Sequence, residues 1–268
     1  MSTLARPLAV EWLVEFYRYR ELFYFLTWRD VKIRYKQTLL GASWAILQPF
    51  FMMVVFTLLF GRMANIDSEG VPYPVFSYAA LVPWTYFQHA VPQAGNSLVA
   101  NSKLISKVYF PRAIIPASSA LSGVVDFFFA AVVLIGIMLY YHMPVSAGIL
   151  LWPLFLLPLV LLSTAIGMIF SSLNVKYRDI KYTIPFFVQI MLFVSPVIYP
   201  TSTLPEKYRT LLTLNPLVGI IDAFRAAILP TRMIDWPQFA FATAISLGLF
   251  IVAATYFYKT EREFADII

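Results

Sequence analysis

Residues 29–44 read RDVKIRYKQTLLGASW. Arg29, Lys32, Arg34 and Lys36 set four positive charges against the single negative charge of Asp30. The stretch then enters residues 39–60, which hold 22 positions without a charged side chain. At about 1.5 Å rise per residue, a helix of that length measures roughly 33 Å, enough for a hydrocarbon core of about 30 Å. Cations kept among water and headgroups, beside an uncharged helix, form the pattern of a membrane entry. Composition agrees. Of 268 residues, 60% are hydrophobic and 13% charged, whereas a soluble domain carries about 45–50% apolar and about 25% charged residues. A buried helix in a soluble protein would explain one such run but not its recurrence.

The run does recur. Residues 73–94, 113–141, 147–173, 182–199 and 238–258 are further apolar stretches. The reading is an all-α integral membrane protein of six transmembrane helices. Pro74, Pro83 and Pro92 predict a kinked second span, Pro153 and Pro158 fall in the fourth, and Pro196 breaks the short fifth. Prolines within spans are tolerated where neighbours satisfy the freed carbonyls. Six crossings place both termini on one side, and the basic residues choose it. Seven Lys or Arg in residues 1–38, with Lys103, Lys107, Arg112, Lys176, Arg178, Lys181, Lys259 and Arg262, make fifteen on that side. Arg62, Lys207, Arg209, Arg225 and Arg232 make five on the other. This asymmetry puts both termini in the cytoplasm. The net charge of +6 is then a topology signal, and its scatter over separate loops argues against nucleic acid as a partner. The chain holds no cysteine, which excludes disulfides, thiolate zinc sites and thiol chemistry. No short apolar core with a small-residue cleavage site opens the sequence, so the first span is expected to be its own insertion signal. One membrane domain is expected: an amphipathic segment 1–38, the six-span region 39–258 and a tail 259–268.

Three segments are amphipathic without being long or apolar enough to cross. Trp12, Phe16, Tyr19, Phe23 and Leu26 recur at spacings of 4, 3, 4 and 3, which predicts one helical face. Such a helix suits the cytoplasmic membrane interface first, with packing on a partner protein as the compatible alternative. Residues 96–112, NSLVANSKLISKVYFPR, carry Leu98, Val99, Leu104, Ile105, Val108, Tyr109 and Phe110 in a loop; these require a surface to bury against, lipid or protein. The outer segment 200–237 holds two helix starts. Thr203 with Glu206 reads as a capping box, and Asn215 followed by Pro216 reads as N-cap and first helical position. The helix after Asn215 is too short to cross, and its apolar content favours a re-entrant helix over one lying on the outer surface. Asp222 and Arg225 stand three apart on it, in reach of each other.

Chemistry is sparse. The phosphate-cradling pattern G-x-x-x-x-G-K-[ST] is absent, since no glycine precedes a lysine, so ATP hydrolysis by that route is excluded. Asp126 is the main carboxylate inside a span, and His89 lies at or past the middle of the second. Ionisable groups there serve proton-coupled carriers, but a lone Asp more often caps a helix or pairs with a basic residue. No H-E-x-x-H, G-x-S-x-G or D-x-D supports a membrane-embedded glycosyl transferase. Aromatic residues are abundant. Phe51, Tyr86, Phe187, Phe193 and Tyr199 fall within spans or near their ends, where aromatic faces can line a glycan conduit or simply pack.

Four stretches together resemble one family: RDVKIRYKQTLLGASWAILQPF at 29–50, NSKLISKVYFPRAIIP at 101–116, NVKYRDIKY at 174–182, and SPVIYP with LNPLVGIIDAFRAAIL at 195–229. In this order they are similar to the ABC-2 type permease subunits of bacterial polysaccharide exporters, which move O-antigen, capsule or wall teichoic acid chains. The resemblance covers nearly the whole chain. It implies a homodimer working with two copies of a P-loop ATPase, with ATP and Mg bound by that partner and no cofactor in this chain. It implies a coupling segment, Asn101, Lys103, Leu104, Ile105, Lys107, Tyr109 and Phe110, that meets the ATPase, and outer gate helices carrying Asn215, Asp222 and Arg225. The substrate implied is a glycan on a lipid carrier, often undecaprenyl pyrophosphate. Arg29, Lys32, Arg34 and Lys36 suit the carrier's phosphate or headgroup, although positive-inside anchoring explains them equally. The expectation is therefore an exporter of lipid-linked polysaccharide, of the O-antigen type, in the bacterial inner membrane, with a capsule or teichoic acid exporter as the nearest alternative.

Overall fold

The computed structural model describes residues 17–36, 43–203, 205–229, 232–261 and 264. Every regular element among them is helical. Helix α1 (Arg20–Lys36) lies along α5 (Ile114–Ser122). Its predicted face is used: Tyr19, Phe23 and Leu26 pack with Leu22 into a cluster that includes Leu98, Ile105, Phe110, Ile114 and Phe257. Trp12 and Phe16 lie outside the described residues. The opposite side exposes Tyr24, Phe25 and Trp28, as a helix at headgroup depth would.

Helix α2 (Ser43–Phe56) runs on through a π-helical stretch (Thr57–Met63), giving an apolar rod of 21 residues. Helix α3 (Tyr73–Ala100) follows, then the single turn α4 (Ser102–Ile105). Helices α5 and α6 (Val124–Tyr140) meet at Gly123 and together span 27 residues. A 3₁₀ turn (Ala147–Leu151) leads into α7 (Trp152–Lys176), 30 residues in all. Helix α8 (Ile180–Phe193) is shorter. Helices α9 (Glu206–Thr213) and α10 (Pro216–Ile228) are bent by 100° at the break between them, and α11 (Trp236–Thr260) closes the order.

Four of these rods are long and apolar enough to cross a membrane: 43–63, 114–140, 147–176 and 236–260. Helix α3 is as long but less apolar, and its position explains why. It is the central pillar, packed on α2, α5, α6, α7, α8 and α10, and residues from Tyr73 to Leu98 are buried on almost every side. A helix enclosed by protein needs small and polar residues for close contact, whereas lipid-facing helices carry the bulk of the Leu, Val and Phe. Thus Phe51 and Val55 on α2, Leu58 in the π-helical stretch that continues it, Phe128 and Val132 on α6, and Ile251 and Val252 on α11 are all exposed. Gly167 on α7 shows how close the approach is, since a Cβ there would overlap the Ala94 methyl of α3.

The helix start at Asn215 is built as the sequence predicts. Its side chain accepts from the Leu217 N–H at 3.1 Å, with Pro216 at the first helical position. The capping box at Thr203 is not formed. Thr203 ends a 3₁₀ turn and donates its hydroxyl to the Pro200 carbonyl, and α9 starts after Pro205 with no side-chain cap. Pro205 supplies the extended entry that a cap would otherwise fix, so the motif has no work to do.

Gly148 marks the tightest contact between the 147–151 turn and α10. A Cβ there would overlap the Ala227 carbonyl, whose carbon is 2.9 Å away. Backbone cannot yield as a side-chain tip does, so Gly148→Ala is expected to lower stability by about 1–3 kcal/mol. Thermal unfolding of the detergent-solubilised protein measures this; an unchanged midpoint would show that the turn is free to move.

Candidate functional site

Three places gather the residues with functional potential. The first is the segment after α3. Asn101 anchors its entry, donating Nδ2 to the Ser97 carbonyl at 2.8 Å. Ile105 and Phe110 are buried as two apolar feet, with Leu104 packed at the edge of the same cluster. Between the feet, Lys107, Val108 and Tyr109 are exposed, Tyr109 to 90%, and Lys103 is exposed on α4. The segment is therefore a rigid base presenting two cations and a bare aromatic ring. An open groove of about 420 Å³ runs beside them, lined by Ile105, Tyr109, Phe110, Arg112 and Phe264. Such a patch offers area for a further surface, protein or membrane interface, to bury.

The second place is the end of α1. The four cations of the opening stretch divide into two pairs. Arg29 is held by Asp30 at 2.8 Å, and Asp30 also accepts from Ser119 Oγ at 2.9 Å. Arg34 turns inward: Nη1 donates to Asp126 Oδ2, and Nη2 to Gln93 Oε1 and, at 3.2 Å, to Ser122 Oγ. Tyr35 donates its hydroxyl to the other oxygen of Asp126. Burial draws Arg34 down from its ordinary pKa, and Tyr35 and Asp30 oppose that pull. The pair is also favoured by the helices themselves, since Arg34 sits in the last turn of α1 and Asp126 in the first turn of α6, where each charge complements the helix dipole. Only Lys32, whose ammonium lies 5.7 Å from the centre of the Trp28 ring, and Lys36 are exposed. Behind the pair opens a cleft of about 310 Å³, in which His89 meets Gln48 at 3.1 Å. Asp126 therefore has a basic partner in Arg34, the arrangement that the sequence reading set beside a proton site.

The third place is the outer cluster. Asn215 reaches back to the end of α8, donating Nδ2 to the Val194 carbonyl at 3.0 Å. Arg225 is wholly buried. It stacks 3.8 Å from the centre of the Phe76 ring, donates to the Pro196 carbonyl at 2.8 Å and the Val197 carbonyl at 3.3 Å, and faces Asp222 at 3.5 Å. The expected Asp222–Arg225 pair therefore exists, but the shorter bonds of Arg225 go to the backbone where α8 has ended. Arg232, which the sequence did not single out, joins Asp222 at 2.9 Å to Glu69 at 2.6 Å. Glu69 and Arg232 are 163 residues apart, so no local spacing announces the contact. Helix α10, enclosed by α3, α7 and α11, is buried along most of its length, while α9 is largely exposed.

The aromatic residues named for a conduit are dispersed. Tyr86 is buried in the core, its hydroxyl donating to the Ala120 carbonyl at 3.1 Å, and offers no ring face to a glycan. Phe187 packs on Phe170 at 5.3 Å, and Tyr199 donates to the Phe193 carbonyl at 2.9 Å. Phe51 and Phe193 are exposed, on α2 and α8.

Comparison with known proteins narrows these features to one kind of machine. The chain is 28% identical over 257 residues to the O-antigen export system permease protein RfbA of Myxococcus xanthus, covering 95% of this chain and 98% of that protein. It is 27% identical over 251 residues to the O-antigen export system permease protein RfbA of Klebsiella pneumoniae, covering 92% and 95%. It is 24% identical over 243 residues to the polysialic acid transport protein KpsM of Escherichia coli, covering 88% and 91%. Residues 21–229 match the model of the ABC-2 type transporter, so the match runs from α1 through α10, and the chain belongs to the ABC-2 type transporter family as a multi-pass protein of the bacterial inner membrane.

Proposed function

We propose that this chain is the transmembrane permease subunit of an ATP-driven exporter that moves a lipid-linked polysaccharide, of the O-antigen type, across the cytoplasmic membrane. The observation that carries this reading is the similarity to two O-antigen export permeases over more than nine-tenths of the chain. The similarity to the polysialic acid transporter supports a capsule polymer as the second reading within the same mechanism.

In this reading six crossings place both termini in the cytoplasm, with α3 and α8 completed as spans by the helices around them, and a homodimer encloses the path. ATP and Mg are bound by two copies of a separate P-loop ATPase. Lys103, Lys107 and Tyr109 form the surface that the ATPase grips, and Ile105 and Phe110 hold it to the bundle. Lys32 and Lys36, the exposed cations of α1, face the phosphates of the lipid carrier. The bent pair α9–α10 dips into the outer leaflet as a re-entrant gate, and Asn215, Asp222 and Arg225 hold its shape. Phe51 and Phe193 are the conduit aromatics with a free face.

The test is purification from native membranes in mild detergent. A P-loop ATPase is expected to accompany the wild-type chain, and Tyr109→Ala with Lys107→Glu is expected to reduce its retention at least tenfold without lowering the yield of permease. These positions are preferable to replacing the whole segment, because Ile105 and Phe110 belong to the core and their loss would act through folding. A chain that purifies without ATPase, and moves glycan in vesicles lacking ATP, overturns the reading.

A further inference from the structure

The last helix ends against the exposed segment. The Arg112 backbone N–H donates to Glu261 Oε1 at 2.7 Å, and Arg112 Nη1 donates to the Glu261 carbonyl at 2.5 Å, across 149 residues of sequence. Arg112 stands just before α5, so the carboxylate also lies at the positive end of that helix, where a negative charge is favoured. Beyond it Phe264 is fully buried, edge-on to Phe257 at 5.4 Å, in the cluster that holds Ile105 and Phe110. The segment is thus held at its entry by α3 through Asn101 and at its exit by α11 through Glu261, with Lys107, Val108 and Tyr109 exposed between.

We propose that Glu261 is a positioning residue for energy coupling: its carboxylate holds the exit of the coupling segment on α11, so that a displacement of the Lys107–Tyr109 surface is delivered to the last helix. This rests on the permease reading above. The chain itself fixes the segment to α3 and α5; the Glu261 contact adds a third attachment, to the end of α11, and a push on the segment then moves that helix as well. Helix α11 packs along α7 and α10, so its displacement reaches the outer cluster through direct contact.

The chain has no cysteine, so Val108→Cys accepts one nitroxide label in the full-length protein. Glu261→Ala is expected to sharpen the label's spectrum. Glu261→Gln, which keeps the accepting oxygen, is expected to match wild type, and Glu261→Asp, one methylene short, to fall between. In vesicles with the co-purified ATPase, Glu261→Ala is expected to lower glycan exported per ATP at least fivefold while the ATPase stays bound and hydrolyses, and Glu261→Gln to restore it. Unchanged label mobility in Glu261→Ala, or a Glu261→Gln variant as impaired as alanine, overturns the proposal. Loss of ATPase binding in Glu261→Ala also overturns it, since the residue would then act in docking. Absence of export by the wild-type chain removes the permease reading instead, and the label spectrum still decides whether Glu261 tethers the segment.

Discussion

Replacing Arg225 by alanine is expected to cost about 3–5 kcal/mol of stability, the range for removing one member of a buried charged network. The guanidinium is enclosed by protein, stacked on Phe76 and bonded to the Pro196 and Val197 carbonyls. Those carbonyls follow the end of α8, where no helical N–H reaches them. Without Arg225 they lose their side-chain donor in a dry site, and each unsatisfied group costs about 1–3 kcal/mol. Lysine is not expected to rescue the fold. Its compact ammonium cannot lie flat on the Phe76 ring as the planar guanidinium does while Nη2 donates to both carbonyls. Methionine should fall between, because it refills the volume over Phe76 but donates nothing. Unfolding of the detergent-solubilised variants, with wild-type protein as reference, measures all three. An alanine variant with a wild-type midpoint would show that Arg225 is dispensable to the outer cluster.

The second large effect is expected at the junction of α1 with the bundle. Arg34 and Asp126 are mutual partners, and Gln93, Ser122 and Tyr35 complete the set. Both are largely covered, so removing either leaves the other charge poorly solvated. Arg34→Ala and Asp126→Ala are each expected to destabilise, and the double variant by less than their sum, with a coupling of about 1–2 kcal/mol, inside the range for residues in direct contact. The same variants separate two mechanisms. If Asp126 fastens α1, Asp126→Asn retains ATP-dependent export at a reduced rate, because the amide oxygen still accepts from Arg34. If Asp126 carried protons, that substitution would abolish transport outright, and transport would proceed without ATP. Unfolding midpoints and vesicle export together decide between them.

These two predictions lie on different sides of what local sequence can express. The apolar runs and the amphipathic face of α1 were legible, because each depends on side chains within a few turns of one another and on a lipid solvent that admits few solutions. Tyr19, Phe23 and Leu26 lie where their spacing put them, and Asn215 caps α10 as its proline neighbour implied. The family was legible for a related reason, since four stretches in fixed order over most of the chain leave little room for coincidence. Thr203 misled because a capping motif proposes only a local arrangement, and Pro205 nearby offered another. Tyr86 misled because an aromatic residue in a span has the same letter whether it lines a path or fills a core.

What composition and periodicity determined here was that the chain is helical and that it crosses a membrane several times. Tertiary structure alone decided that α3 is a protein-enclosed pillar, that Arg34 turns towards Asp126, that Glu69 meets Arg232, and that Glu261 holds Arg112. Each of these pairings joins residues from about 90 to about 160 positions apart. Charges so distant in sequence find each other only after helices have packed, because a buried charge must be paired and packing decides which partner is within reach.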